Sequence, residues 1–103
     1  MSCYFVSEIQ WLDTEPMARY LTAVAASKEK YGGRYLVRGG DPQLLEGEGR
    51  VSRMVITEFE NREQALRWWN SPEYAAARKI REPVTVARVL LVEGAESKPM
   101  AHG

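Results

Sequence analysis

Seven side chains have types and spacings from which a small-molecule site can be built: Tyr4, Arg38, Glu58, Trp69, Tyr74, Arg78 and Arg88. Tyr74 and Arg78 stand four residues apart and so share one face of a helix. A tryptophan and a tyrosine beside a helix break can wall a cavity that guanidinium groups make hospitable to anions. A glutamate withdrawn from water in such a cavity holds its proton more tightly and can act as a general base, while arginine steadies a developing enolate or phenolate. On this reading Glu58, Tyr74 and Arg38 are the catalytic candidates. Trp69, Arg78, Arg88 and Tyr4 are the ligand-binding ones, with Tyr4 or Tyr74 donating a hydrogen bond. Each also has an ordinary structural use. Trp68 and Trp69 can fill a core or an interface, and Glu58 can form a cross-strand ion pair with Arg38 or Arg53. Tyr74 and Arg78 can lie on a solvated helix face, and the run Arg78-Lys79-Ile80-Arg81 suits the negative end of a helix dipole.

Other chemistries lack their residues. The single histidine, His102, sits in the C-terminal tail and the single cysteine, Cys3, stands alone. Neither a zinc site nor a Cys-His or Ser-His pair can therefore be assembled in a folded core, and the four cysteines of an iron–sulfur cluster are missing. The glycine pairs at 32–33 and 39–40 lack the strand, glycine-rich turn and helix order that nucleotide sites require. No cofactor and no metal are expected. With 14 basic and 14 acidic residues, the chain has no basic field to draw in nucleic acid or an anionic membrane. No apolar run approaches the ~18 residues of a membrane span, and the opening residues do not read as a secretion signal. A cytoplasmic location is expected.

The elements that must position these side chains are legible from periodicity and punctuation. Cys3 to Trp11 alternates as a strand, with Phe5, Ile9 and Trp11 on one side and Tyr4, Val6, Glu8 and Gln10 on the other. Asp13 or Thr14 can cap a helix with Pro16 in its first turn and a stripe of Met17, Tyr20, Leu21, Val24 and Tyr31. Gly32-Gly33 ends it. Arg34 to Arg38 reads as a short strand stopped by Gly39-Gly40-Asp41-Pro42. Val51 to Phe59 is the most strand-like run, and its successive apolar residues Met54, Val55 and Ile56 mark it as central. Asn61 and Gln64 make a capping-box-like start to a second helix, which breaks at Asn70-Ser71-Pro72 and restarts with Ser71 as cap. Pro83 closes that helix, and Val84 to Val92 forms the last strand.

Strand, helix, strand, strand, helix, strand is the split βαβ order of a ferredoxin-like α+β fold, with a four-stranded antiparallel sheet whose first and third strands lie in the middle. Residues 1–94 are expected to form this single domain and residues 95–103 a flexible tail. Both helices cover one sheet face. The other keeps valine, methionine, isoleucine or leucine from the first, third and fourth strands, a patch of the size that usually meets a partner, and the simplest partner is a second copy.

The strand ending Glu58-Phe59, the segments Gly32-Gly33-Arg34-Tyr35 and Trp68-Trp69-Asn70-Ser71-Pro72-Glu73-Tyr74, and the closing Leu91-Val92-Glu93-Gly94 resemble the thirteen-thirty domain-of-unknown-function family. The resemblance runs from about Tyr4 to Gly94 and implies a homodimeric α+β barrel. It implies no activity. The chain departs from the usual family look in its strand exit, Thr57-Glu58-Phe59-Glu60-Asn61, and in Trp11. Two functions are expected to compete. One is a cofactor-free enzyme carrying out proton transfer, cyclisation or oxygenation on a small carbonyl or conjugated compound. The other is a non-catalytic homodimeric ligand-binding or accessory protein.

Overall fold

The computed structural model describes residues 1–95. Its elements run β1 (Cys3–Trp11), α1 (Met17–Lys30), β2 (Arg34–Gly39), β3 (Arg53–Phe59), α2 (Arg62–Trp69), α3 (Pro72–Arg81), a 3₁₀ turn (Glu82–Val84) and β4 (Thr85–Glu93). All neighbours in the sheet are antiparallel, in the order β2-β3-β1-β4, so β1 and β3 are central as expected. The expected tail, residues 95–103, lies outside the described residues apart from Ala95.

Local chemistry sets most boundaries. Asn61 caps α2 by accepting from the Gln64 backbone N–H at 2.8 Å. The return arm of a capping box is absent, because the Gln64 side chain instead donates to the Tyr31 carbonyl at 2.6 Å and ties α2 to the end of α1. Ser71 caps α3 by accepting from Tyr74 N–H at 3.1 Å, with Pro72 at the first helical position where its missing N–H costs nothing. Neither Asp13 nor Thr14 caps α1 through its side chain; Asp13 instead accepts from Glu15 N–H at 3.0 Å, closing a turn that ends before the helix begins. The third strand starts at Arg53 rather than Val51. Gly32 ends α1 in a left-handed conformation (φ +81°). Gly33 is required for space, since a Cβ there would sit 2.7 Å from the Phe59 ring.

Phe59, fully buried, sits at the centre of the core. Phe5 meets it edge-on with centroids 5.9 Å apart, and Trp68 packs on both rings at 5.1 and 5.6 Å. Removing the Phe59 ring would cost about 3–5 kcal/mol. The alternation that buries Val55, Thr57 and Phe59 under the helices turns Met54, Ile56 and Glu58 to the opposite face. The molecule is 16 Å across its thinnest axis, one helix layer on one sheet layer. The uncovered face carries Val6, Ile56, Val86, Leu90 and Val92, the last three 42–58% exposed.

Candidate functional site

One irregularity in β2 shapes the site. Tyr35 pairs with Thr57 and Arg38 with Val55, with a register shift between Tyr35 and Val37. Residues three apart normally point to opposite faces of a strand; the bulge restores parity, so both reach the helix side. There the Arg38 guanidinium lies 3.9 Å from the centre of the Tyr35 ring. The same ring meets the Lys28 ammonium at 4.3 Å, and the Trp68 ring is 5.3 Å from that nitrogen.

These groups line a narrow cavity between sheet and helices, about 30 Å³ in volume, with room for a pair of waters. Its aromatic walls are Trp11, Tyr20, Tyr35, Trp68, Trp69 and Tyr74. Its charged groups are Lys28, Arg38, Arg53 and Arg81, and among the described residues no carboxylate lines it. Past Trp69, Arg81 and Val89, which belong to both, lies an open groove of about 380 Å³ reaching Arg78 and Glu82. Trp69, half-buried, is the partition, stacked on Phe5 at 5.6 Å inside and under the Arg78 guanidinium at 4.6 Å outside.

Two cations in the cavity are buried without a carboxylate partner among the described residues. Lys28, 6% exposed, donates from Nζ to Thr57 Oγ1 at 2.8 Å. Loss of hydration, and then the neighbouring Arg38 charge, pull its pKa down from 10.5 to about 7. Arg81, 5% exposed, donates from Nη2 to Tyr74 Oη at 3.1 Å, and its Nε has no hydrogen-bond partner. Burial alone would weaken its hold on the proton, but the Tyr74 hydroxyl and then Tyr20 more than offset that, and its pKa rises. Burial pushes the Tyr20 hydroxyl well above the usual phenol range, so it stays neutral. Among the described residues this buried guanidinium is paired only with phenols and has no compensating negative charge.

The expected seven-residue set divides between the two sheet faces. Arg38, Trp69 and Tyr74 meet at the cavity, with Arg78 in the adjoining groove. Glu58, Tyr4 and Arg88 do not reach it, since strand alternation places them on the uncovered face. Glu58 accepts from Tyr4 Oη at 3.2 Å and pairs with Arg34, not with Arg38 or Arg53, which point the other way. Partial desolvation would raise the Glu58 pKa, but the hydrogen bonds from Tyr4 and Arg34 outweigh it and the carboxyl is held below its ordinary value. That is a carboxylate built to stay ionised. The arginine that reaches Tyr74 is Arg81, two helical turns along, rather than Arg78, whose Nε faces Glu82 Oε2 at 3.4 Å.

Lys28 and Arg81 were absent from the sequence-derived set, yet Lys28 carried a signal. The buried positions of α1 are Tyr20, Val24, Ser27 and Lys28. Lys28 follows Val24 by four and precedes Tyr31 by three, which is a core position of the very stripe read from the sequence. No group of three or more His, Cys, Asp or Glu among the described residues could hold a metal ion, and His102 lies outside them. No helix among the described residues is long and apolar enough to cross a membrane.

Solved structures with the same fold include a protein of unknown function from Rhodopseudomonas palustris (TM-score 0.76, 16% identity, 92% of this chain and 83% of that one). A dimeric ferredoxin-like protein of unknown function from Thermobifida fusca aligns with TM-score 0.57 at 16% identity, over 87% of this chain and 90% of its own. SnoaB, a cofactor-independent oxygenase from Streptomyces nogalater, aligns with TM-score 0.56 at 12% identity, over 96% and 98%. At these identities the likeness establishes the fold alone. No curated protein matches the chain. The model of one family, described as domain of unknown function DUF1330, matches residues 2–95, and with the fold, the paired glycines and the broken tryptophan helix all in place, the chain belongs to that family.

Proposed function

We propose that this protein is a cofactor-free enzyme that takes a small conjugated carbonyl compound, as an enolate or phenolate, into the cavity between helices and sheet and moves a proton on it. The observation that carries this reading is the pair of buried cations, Lys28 and Arg81, in an aromatic cavity lined by no carboxylate among the described residues. Arg81 and Arg38 supply charge for an oxyanion, and Tyr74 supplies a hydroxyl already oriented by Arg81. Lys28, about half neutral near pH 7, takes the role of base that the sequence assigned to Glu58. A volume of about 30 Å³ is too small for such a ligand with every wall in place. Entry therefore requires Trp69 to swing toward the groove, merging the two spaces. SnoaB offers a precedent for cofactor-free work on this fold.

A second copy covers the bare sheet face in this proposal. The exposed Val86, Leu90 and Val92 support it, as does the dimeric neighbour from Thermobifida fusca. The competing reading, a non-catalytic homodimeric binder, is favoured by Glu58, an ion-paired carboxylate remote from the cavity.

The test uses salicylate as probe and tryptophan fluorescence as readout, since Trp68 lies tilted against Tyr74 with centroids 4.1 Å apart. Saturable quenching is expected, weakened about tenfold or more in Arg81→Gln, the loss of one charge-assisted bond. Equal affinity in wild type and Arg81→Gln would refute the site. Exchange of the α protons of phenylpyruvate into D₂O, followed by NMR, separates enzyme from binder: exchange that disappears in Lys28→Met supports catalysis, and binding without exchange supports the alternative.

A further inference from the structure

Lys28 is a costly way to hold a threonine. Its ammonium is carried by the last turn of α1 into the core, where its sole hydrogen-bond partner among the described residues is the Thr57 hydroxyl at 2.8 Å. The faces of Tyr35 and Trp68 stand at 4.3 and 5.3 Å. Exposed lysines on the same chain behave otherwise: Lys30, two residues on, is paired with Glu73 in solvent. A neutral side chain at position 28 would pack against Thr57 without the desolvation penalty of an ammonium. A desolvated amine beside a second cation, in a cavity that a ligand can enter once Trp69 moves, is the arrangement that turns lysine into a nucleophile at neutral pH.

We propose that Lys28 captures the ligand covalently, its Nζ condensing with an aldehyde or ketone to form an imine, and that the substrates of this cavity are carbonyl compounds that also carry a carboxylate or phenolate for Arg81. The inference rests on the cavity being a ligand site and adds the bond formed within it. In the first step the Nζ lone pair attacks the carbonyl carbon and the C=O π pair moves to oxygen, giving a carbinolamine. The oxygen then takes up both amine protons and leaves as water, and the nitrogen lone pair closes the C=N bond. No oxidant or reductant is consumed. Once that nitrogen is protonated from solvent, the iminium accepts the electron pair released when a neighbouring C–H gives its proton to a water molecule, so in the adduct Lys28 activates that C–H through the iminium instead of removing the proton itself. Loss of hydration, and then the charge of Arg38, which also lies over the Tyr35 ring, disfavour the ammonium, consistent with the Lys28 pKa of about 7. Arg53, Tyr20, Tyr74 and Arg81 face the same space from β3, α1 and α3, and none of them is a carboxylate.

The experiment treats the full chain with salicylaldehyde and sodium cyanoborohydride at neutral pH and maps the reduced adduct by peptide mass spectrometry. The dominant adduct is expected on Lys28, formed at least about tenfold faster than on exposed Lys79 or on exposed Lys30, whose pairing with Glu73 strengthens its hold on the proton. It should be suppressed by excess salicylate, and Lys28→Gln should abolish it while leaving labelling of the other amines unchanged. Labelling of the exposed amines with Lys28 spared would overturn the inference; because the mapping is done on wild type, this result does not depend on a variant folding. Salicylate quenching measured on the same sample separates the two proposals. Quenching without a Lys28 adduct refutes imine formation and leaves the anion site standing, and neither signal refutes both.

Discussion

Replacing Lys28 with methionine should make the protein more stable near neutral pH, and the size of the gain should depend on pH in a calculable way. In the unfolded chain Lys28 keeps its ordinary pKa of 10.5; in the native state it is about 7. Between those values the unfolded state binds the proton that the native state has lost, so wild-type stability rises with pH across that window. At pH 7 the mismatch costs about 4 kcal/mol, taking each pKa unit as about 1.4 kcal/mol. At about pH 9.5 the same calculation leaves about 1–2 kcal/mol. Methionine keeps the aliphatic stem and removes the titration, but leaves the Thr57 hydroxyl without its donor, a loss of about 1–3 kcal/mol. The variant should therefore gain about 1–3 kcal/mol at pH 7 and lose that advantage by about pH 9.5, the difference closing by about 3 kcal/mol. Urea denaturation of both proteins at a series of pH values measures it. A wild-type-to-variant difference that stays constant with pH would refute the claim that Lys28 is forced towards its neutral form.

Further outcomes follow from the same geometry. Glu58→Gln should leave salicylate affinity unchanged, because Glu58 is paired with Arg34 and Tyr4 on the opposite sheet face; a weakened titration would return Glu58 to the site. Trp69→Ala should merge the inner cavity with the outer groove and admit bulkier phenolates in the fluorescence titration, at a stability cost of about 2–4 kcal/mol in thermal unfolding. Gly33→Ala should destabilise by about 1–3 kcal/mol in urea, since its Cβ would press on the buried Phe59 ring. For the dimer proposed above, Leu90→Glu on the sheet face away from the helices should shift sedimentation to monomer without altering the circular dichroism spectrum, and wild type already sedimenting as monomer would refute that pairing.

Where signals were local, the sequence was readable. Asn61 and Ser71 cap helices because their side-chain oxygens meet backbone N–H groups two or three residues on, an interaction any sequence window contains. The strand order followed from two right-handed crossovers and needed no side-chain detail. The site was less readable because it depends on parity and reach. Glu58 and Arg38 look like partners in a list of charged residues, yet Phe59 and Thr57 need the helix face and so force Glu58 off it. The bulge between Tyr35 and Val37 delivers Arg38 to the cavity, and nothing in Tyr35-Leu36-Val37 marks that extra residue. Arg81 was obscured by a real property of its run, since basic residues at a helix end need no other explanation until one of them is found buried. Lys28 fell in the apolar stripe of α1, where reading for hydrophobic residues alone passes over it; a lone charge at a core position is the more informative observation.

Heteronuclear NMR of the Lys28 side chain through a pH titration, with and without salicylate, tests the central claim most directly. The account predicts a midpoint near 7 in the free protein, moving upward when the anion occupies the cavity and offsets the uncompensated positive charge. A midpoint at the ordinary lysine value, or one that salicylate leaves in place, would contradict it.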